Sequence, residues 1–364
     1  MISTILPLTL LILERMRLGL LCGHLTLRNS ECDLMIHDEF DWINKIKPKS
    51  HYQSHLLEGI GDDASVYKTD ASYDEIICVD TLVEDVHFKK TTLSPFDIGH
   101  KALAVNISDV AAMGGWPVFY LVSVAIPSDW SEEEMEELYK GMSSLAEGYK
   151  MDLIGGDTVS TTDKLVISVT VTGRVEAGKR LLRKNALPGD IVFVTGSLGK
   201  SAAGLALLLK RSRNAHFTAR EKRLTIAHQR PRPKVEEARV INSLNTRGAL
   251  NDISDGIGSE AHEIAEASNV SIELDESSFP IAQELQSVDA AKRLEWMLFG
   301  GEDFELVGTV RENDWELLSE AMKKEGLSLY KIGTVKEGRG EVWLKKEKNG
   351  LVRLNKKGYN HFKS

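Results

Sequence analysis

Hydrophobic and polar positions along this chain follow two alternating rhythms. The segments IICVD (76–80), VFYLVSVAI (118–126) and VISVTVTGRV (166–175) are rich in β-branched and aromatic residues, which suit a pleated, half-buried surface, and they predict strands. Between them, 97–113 and 131–149 carry helical spacing, and the second opens on Ser131 with Glu134 three residues later, a capping-box signature. A break follows at 176–190, where EAGKRLLRKNALPGD mixes Gly, Pro and charge. A second pass then begins, with strands at 191–196, 249–254, 270–274 and 305–310 and helices at 200–210 and 259–267. Strands interleaved with helices of this length predict an α/β (or α+β) protein in two lobes, over 35–180 and 181–364.

Residues 1–34 do not share this pattern. The apolar run ILPLTLLIL (5–13) is too short for a bilayer, which needs about twenty residues. No Lys or Arg precedes it, as a signal peptide would require. The segment is expected to be a disordered extension or the product of an upstream start, with Met35 as the working start before an amphipathic helix at 38–46 (Phe40, Ile43, Ile46). The whole chain of 364 residues carries 45 Lys+Arg against 54 Asp+Glu, a net charge of −9, which excludes a coat held on nucleic acid by positive charge. Cys22, Cys32 and Cys78 show no metal-ligand spacing and cannot all pair, so a reduced, cytosolic setting is expected, with no membrane.

The surplus carboxylates cluster. Asp or Glu stands beside Gly, or is expected at a strand end, at Gly61-Asp62-Asp63, Val79-Asp80, Ser108-Asp109, Gly155-Gly156-Asp157, Asp252-Ile253-Ser254-Asp255 and Gly300-Gly301-Glu302-Asp303. Any one of these fits an ordinary turn, but strand ends are where open α/β sheets bind ligands, and six such motifs predict a shared cation site. Oxygen-only ligands select a hard cation, magnesium above all, which completes its shell with water and substrate phosphates. The Gly196–Ser201 loop after a strand imitates a phosphate loop, but Val194 stands where the first Gly should be, so a tight strand-to-helix turn is expected. No G-x-S-x-G elbow is present, and His87, seven residues past Asp80, is poised either to meet an anion or to serve the fold. The basic stretch 211–236 is expected to be a solvated helix and loop.

The ordered set GIGDDAS (59–65), VDTLVEDVHF (79–88), KALAVNISDVAAMG (101–114), LIGGDT (153–158), DISDGI (252–257), GGEDFEL (300–306) and KGYNHF (357–362) resembles the thiamine-monophosphate kinases. These belong to the superfamily of aminoimidazole ribonucleotide synthetase and selenophosphate synthetase. The resemblance covers roughly 35–364. It implies an N-terminal α/β domain that dimerises through its sheets, a C-terminal α/β domain, and direct magnesium-assisted transfer of phosphate from ATP to thiamine monophosphate. It further implies magnesium ligands at Asp63, Asp80, Asp109, Asp157, Asp252 and Asp255. ATP contacts would come from Gly156, Asp157, Arg183 and Ser254, and substrate contacts from His87, Glu302 and Tyr359; Tyr139 would border the adenine. Four positions depart from the family pattern. Cys78 and Val79 replace hydroxyl residues before Asp80, Asp85 replaces a Gly, and Lys356 replaces an aromatic. The alternatives are another synthetase or cyclase of the superfamily and a non-catalytic magnesium–nucleotide binder.

Overall fold

The computed structural model describes residues 55–59, 61–69, 71–346 and 350–356. The extension, the 38–46 helix, Cys22, Cys32 and Tyr359 lie outside them. The first sheet has the strand order β1-β2-β3-β6-β4-β5. Its strands are β1 (Leu56–Glu58), β2 (Ser65–Lys68), β3 (Tyr73–Val83), β4 (Trp116–Pro127), β5 (Asp152–Thr161) and β6 (Val166–Glu176). The alternation read from the sequence places β3, β4 and β6 correctly. On β6 every second residue, from Ile167 to Val175, is buried.

Two helices cover that buried face: α1 (Pro95–Ala112) and α2 (Glu132–Tyr149). Each starts with a capping box, Ser94 with Asp97 and Ser131 with Glu134, which satisfies backbone donors that the first turn would leave orphaned. α1 is buried along most of its length, and Lys101, Asn106 and Ser108 go under with the aliphatic residues.

The second sheet has the order β13-β12-β9-β11-β7-β10-β8. It comprises β7 (Ile191–Val194), β8 (Leu250–Asp252), β9 (Val270–Asp275), β10 (Leu306–Val310), β11 (Tyr330–Glu337), β12 (Val342–Lys346) and β13 (Gly350–Leu354). The helices here are α3 (Lys200–Arg211), α4 (Ala219–Gln229), α5 (Val235–Ser243), α6 (Ile257–Ser268), α7 (Ala290–Phe299) and α8 (Trp315–Lys324). All described residues fall in one compact unit, and its largest apolar cluster joins Ile107, Val110 and Val169 to Phe193, Leu250 and Leu306 of the second sheet. None of the described helices is long and apolar enough to cross a membrane.

Two local readings change. The Gly155-Gly156-Asp157 motif lies inside β5, an edge strand exposed from Asp152 to Ser160, and does not end a strand. The basic stretch after 211 is solvated on one side only: α4 buries Leu224, Thr225 and His228. A high share of charge hides that inner face from a hydropathy reading.

Candidate active site

Four aspartates from separate parts of the chain meet beneath the first sheet. Asp63 stands in the turn before β2, Asp80 on β3, Asp109 on α1 and Asp252 at the end of β8. Carboxylate oxygens of Asp63, Asp109 and Asp252 lie within 4.8 Å of one another. Asp80 shares a side-chain hydrogen bond with Asp109, which requires a proton between them. Ser108 Oγ donates to Asp252 Oδ2 at 2.6 Å and fixes that carboxylate toward α1.

Burial is the main force on these groups, and mutual repulsion adds to it. Burial, with the neighbouring carboxylates, pushes Asp109 well above the carboxylate range and Asp252 up to about 8. Asp63 and Asp80 are raised for the same first reason, and Asp62 reaches about 7. The counter-charge is Arg183, whose guanidinium meets Asp63 Oδ1 at 2.5 Å and donates to Asn251 Oδ1 at 3.1 Å. Arg183 is therefore no surface charge of a basic loop. Its side chain is 17% exposed and plugs the acidic pocket. One guanidinium does not balance the group, and Asp63 Oδ2 is buried without a hydrogen-bond partner. An all-oxygen donor set with an orphaned carboxylate oxygen fits a hard divalent cation.

The loop after β8 adjoins this cluster, and a residue overlooked in the sequence organises it. Glu260 on α6 is buried and receives Asn251 Nδ2 at 2.7 Å, the Asp255 N–H at 3.0 Å and Ser254 Oγ at 3.3 Å. It thereby sets Ser254 and Asp255 beside Asp252. The Glu302 N–H donates to Ser254 O at 2.6 Å, which draws the Gly300–Asp303 turn against the same loop. His87 sits within electrostatic reach of Glu302, with its Nδ1 accepting the Val83 N–H at 2.9 Å.

Gly156 and Asp157 are placed elsewhere. Asp80 pairs across the sheet with Val169, then Val122, then Gly156, a row whose side chains face the buried helices. Asp157 belongs to the next row, with Ser123, Ser168 and Thr81, so it projects from the opposite, open face. Three strand spacings separate β3 from β5, about 14 Å. Gly156 is required by packing: a Cβ there would stand 1.9 Å from Val122 O. Tyr139 is half-buried on α2, packed against the core beside Tyr120.

The departures from the family pattern are accommodated. Asp85 holds φ 67°, the left-handed conformation that suits Gly and that Asp tolerates, and pairs with Lys164 at 2.5 Å. Cys78 donates from Sγ to Asn106 O at 3.3 Å, tying β3 to α1, whereas Val79 is 60% exposed on the open face. Lys356 pairs with Glu263 and Glu266 on α6.

The loop that imitates a phosphate loop is filled by the protein itself. Gly199 (φ 81°) precedes α3, and the Gly199 and Ser201 N–H groups donate to Asp303 at 2.5 and 3.0 Å. A carboxylate occupies the position an anion would take at this helix N-terminus.

Lys101 and His228 were also missed. Lys101 is fully buried on α1, and its Nζ lies 2.9 Å from Glu302 Oε2. Its signal was present: in KALAVNISD it shares the helical stripe of Ala104, Val105 and Ser108, so a charge stands on a core-facing side.

A family model described as AIR synthase related protein, N-terminal domain, matches residues 61–175, and one for the C-terminal domain matches 188–345. The thiamine-monophosphate kinase of Bacillus subtilis (strain 168) is 53% identical over 327 residues, spanning 90% of this chain and 100% of the relative. That of Escherichia coli (strain K12) is 35% identical over 306 residues, spanning 84% of this chain and 91% of the relative. The solved structure of AaThiL complexed with AMPPCP and TMP matches with a TM-score of 0.76 and 32% identity, over 93% of this chain and 100% of that one. The two-sheet fold, the order of the acidic motifs and these full-length likenesses place the chain in the thiamine-monophosphate kinase family of the AIR synthase related proteins.

Proposed function

We propose that this protein transfers the γ-phosphoryl group of ATP to thiamine monophosphate, giving thiamine diphosphate and ADP in thiamine biosynthesis, with magnesium held by its buried aspartates. The observation that carries the reading is the meeting of Asp63, Asp109 and Asp252 in a chain 53% identical to a thiamine-monophosphate kinase. Asp63, Asp80, Asp109, Asp252 and Asp255 would hold the metal. Bound magnesium supplies neutralisation of two phosphate-bearing substrates and alignment of attacking and leaving oxygens.

The chain's own groups do the rest. Arg183, steadied by Asp63 and Asn251, offers a planar fork of donors to a nucleotide phosphate at the pocket edge. Ser254 is the remaining ATP contact of this reading within one chain, and Gly156 and Asp157, the latter on the open face of the first sheet, would reach a nucleotide and its magnesium only from a second copy. Glu302 and His87, within electrostatic reach of each other, are where thiamine monophosphate would bind, and Tyr359 is the aromatic candidate for its ring system. No protein nucleophile is required, because the acceptor phosphate oxygen is already ionised. Transfer is direct.

The same reading includes a homodimer formed through the open face of the first sheet, a division of labour near residue 180 between an N-terminal and a C-terminal domain, and residence in the cytoplasm. A coupled assay of ADP release tests the activity. Release that requires both thiamine monophosphate and magnesium is expected. Release with formylglycinamidine ribonucleotide instead would overturn the assignment in favour of a synthetase or cyclase, and no release with either would leave only a binding protein.

A further inference from the structure

We infer that Lys101 is a positioning residue for substrate: from inside the protein it holds Glu302 ionised and oriented for the cationic, amino-bearing thiamine moiety. The inference rests on the kinase reading above and adds a residue and a mechanism to it.

Lys101 is among the largest side chains of the protein with no exposure at all. An ammonium in such a place is tolerated only when paired, and losing its partner is strongly destabilising. Its contacts are Glu302 Oε2 at 2.9 Å and His228 Nε2 at 3.5 Å. His228 is itself buried, and burial, followed by the Lys101 charge, pushes its pKa down to about 3. The ring is therefore neutral. Its distances fit a proton on Nδ1, which faces Ser201 Oγ at 3.1 Å and Glu302 Oε2 at 3.2 Å, and a bare Nε2 toward the ammonium. Residues of α1, α3 and α4 thus converge behind one carboxylate oxygen.

Glu302 is unlike the residues that hold it. Its side chain is 31% exposed, and its backbone is left-handed at φ 65°, a conformation that costs a non-glycine residue energy and is sustained by the Glu302 N–H bond to Ser254 O. Both polar contacts, the Lys101 ammonium and the neutral His228 N–H, fall on Oε2, so Oε1 is the oxygen offered to a ligand. The next carboxylate, Asp303, is turned away to cap α3, and Glu305 is turned to Thr195 and Lys234. Burial would raise the Glu302 carboxyl, but the Lys101 ammonium outweighs it and holds it below the ordinary glutamate value. Asp255, beside Gly301, is the nearby acidic group on the facing loop. An ionised acceptor with one oxygen locked suits an aminopyrimidine N–H and a thiazolium charge. It does not suit a phosphate.

The test is steady-state kinetics of the full chain with Lys101→Met, varying thiamine monophosphate, ATP and pH. The KM for thiamine monophosphate should rise about tenfold or more, with the KM for ATP within about twofold of wild type. The acid limb of kcat/KM for thiamine monophosphate should move to higher pH, because burial would then act on Glu302 without its counter-charge. Substrate titrations are common to both proteins, so the difference belongs to the enzyme. Equal changes in both KM values, or an unmoved acid limb, would overturn the inference. A second comparison survives a misfolded single variant: Lys101→Met added to Glu302→Gln. If Lys101 acts through Glu302, the double variant binds substrate within about twofold of Glu302→Gln and melts higher, since an unpaired buried charge has been removed. A further tenfold loss would contradict the inference. A wild-type enzyme that releases no ADP with thiamine monophosphate would instead overturn the kinase reading, a separate outcome.

Discussion

Aspartates 63, 80, 109 and 252 cost the fold energy in the absence of a cation, and that cost has a sign and a pH range. Burial holds Asp252 at about 8 and Asp62 and Asp303 at about 7, above their unfolded values. A carboxyl raised in the folded state contributes stability that is full below about pH 4 and lost as pH climbs through the folded value. Carboxyls held low, such as Glu302 and Glu176, titrate below that window, and the buried His228, held at about 3, opposes the trend only up to about pH 6.5, where an unfolded imidazole loses its proton. Metal-free protein should therefore melt at progressively lower temperature between about pH 6.5 and pH 8.5, and magnesium should raise the melting temperature more at the upper end. A magnesium shift that is equal at both ends, read by scanning fluorimetry, would contradict a cation held by these carboxylates. Asp109→Asn separates stability from activity in the same cluster. Removing a carboxyl that folding must protonate should raise the metal-free melting temperature by a few degrees, on the order of 1 kcal/mol, erase most of the magnesium shift and lower turnover at least about a hundredfold. Near-normal turnover across magnesium concentrations would refute it. Asp63 and Asp252 were legible because Gly-Asp and strand-end Asp are local patterns, whereas Asp80 lies inside β3 and Asp109 on α1. Glu260 was not, because only tertiary contacts reveal that it points inward, and Lys101 left just the trace of a charge on a core-facing helical stripe.

At the level of elements, the strands and helices that position the site follow the period-two and period-3.6 patterns, and the capping residues Ser131 and Glu134 act as read. The failure at Gly155–Asp157 has a physical cause: glycines and an acid look like a turn, yet Gly156 is there to let β5 approach β4. The Gly196–Ser201 loop gives the converse case, a motif whose helix N-terminus is occupied by Asp303. Lys200→Ala should therefore reduce kcat/KM by less than about tenfold, under about 1.4 kcal/mol of transition-state stabilisation. Asp303→Ala should act through the fold and destabilise by about 1 kcal/mol, as the loss of a helix cap does. Asp157→Ala should cost far more activity than either. If Lys200→Ala is instead the deadest of the three under saturating substrates, the nucleotide binds at α3.

On the scale of the whole molecule, the first sheet has one face under α1 and α2 and one open face, which presents Val79, Thr81, Asp157 and Val159. Val79 and Val159 are 60% and 51% exposed, and Leu153 and Ile154 on the same edge strand are exposed as well. Apolar side chains grouped on one sheet face mark an interaction surface more often than a solvated one. An exposed sheet face that carries Val79 and Val159 suits a two-fold dimer. The placement also bears on Asp157, which points away from the aspartate cluster of its own chain and onto the surface that a second copy would cover. Activity that needs Asp157 would then need the dimer. Val159→Arg should leave the melting temperature of the isolated chain nearly unchanged, because its side chain is exposed there, while halving the mass measured by light scattering and lowering turnover together with it. A variant that stays dimeric with unchanged turnover would move the interface off this face, and a wild-type chain that is monomeric at working concentration would remove the dimer from the mechanism.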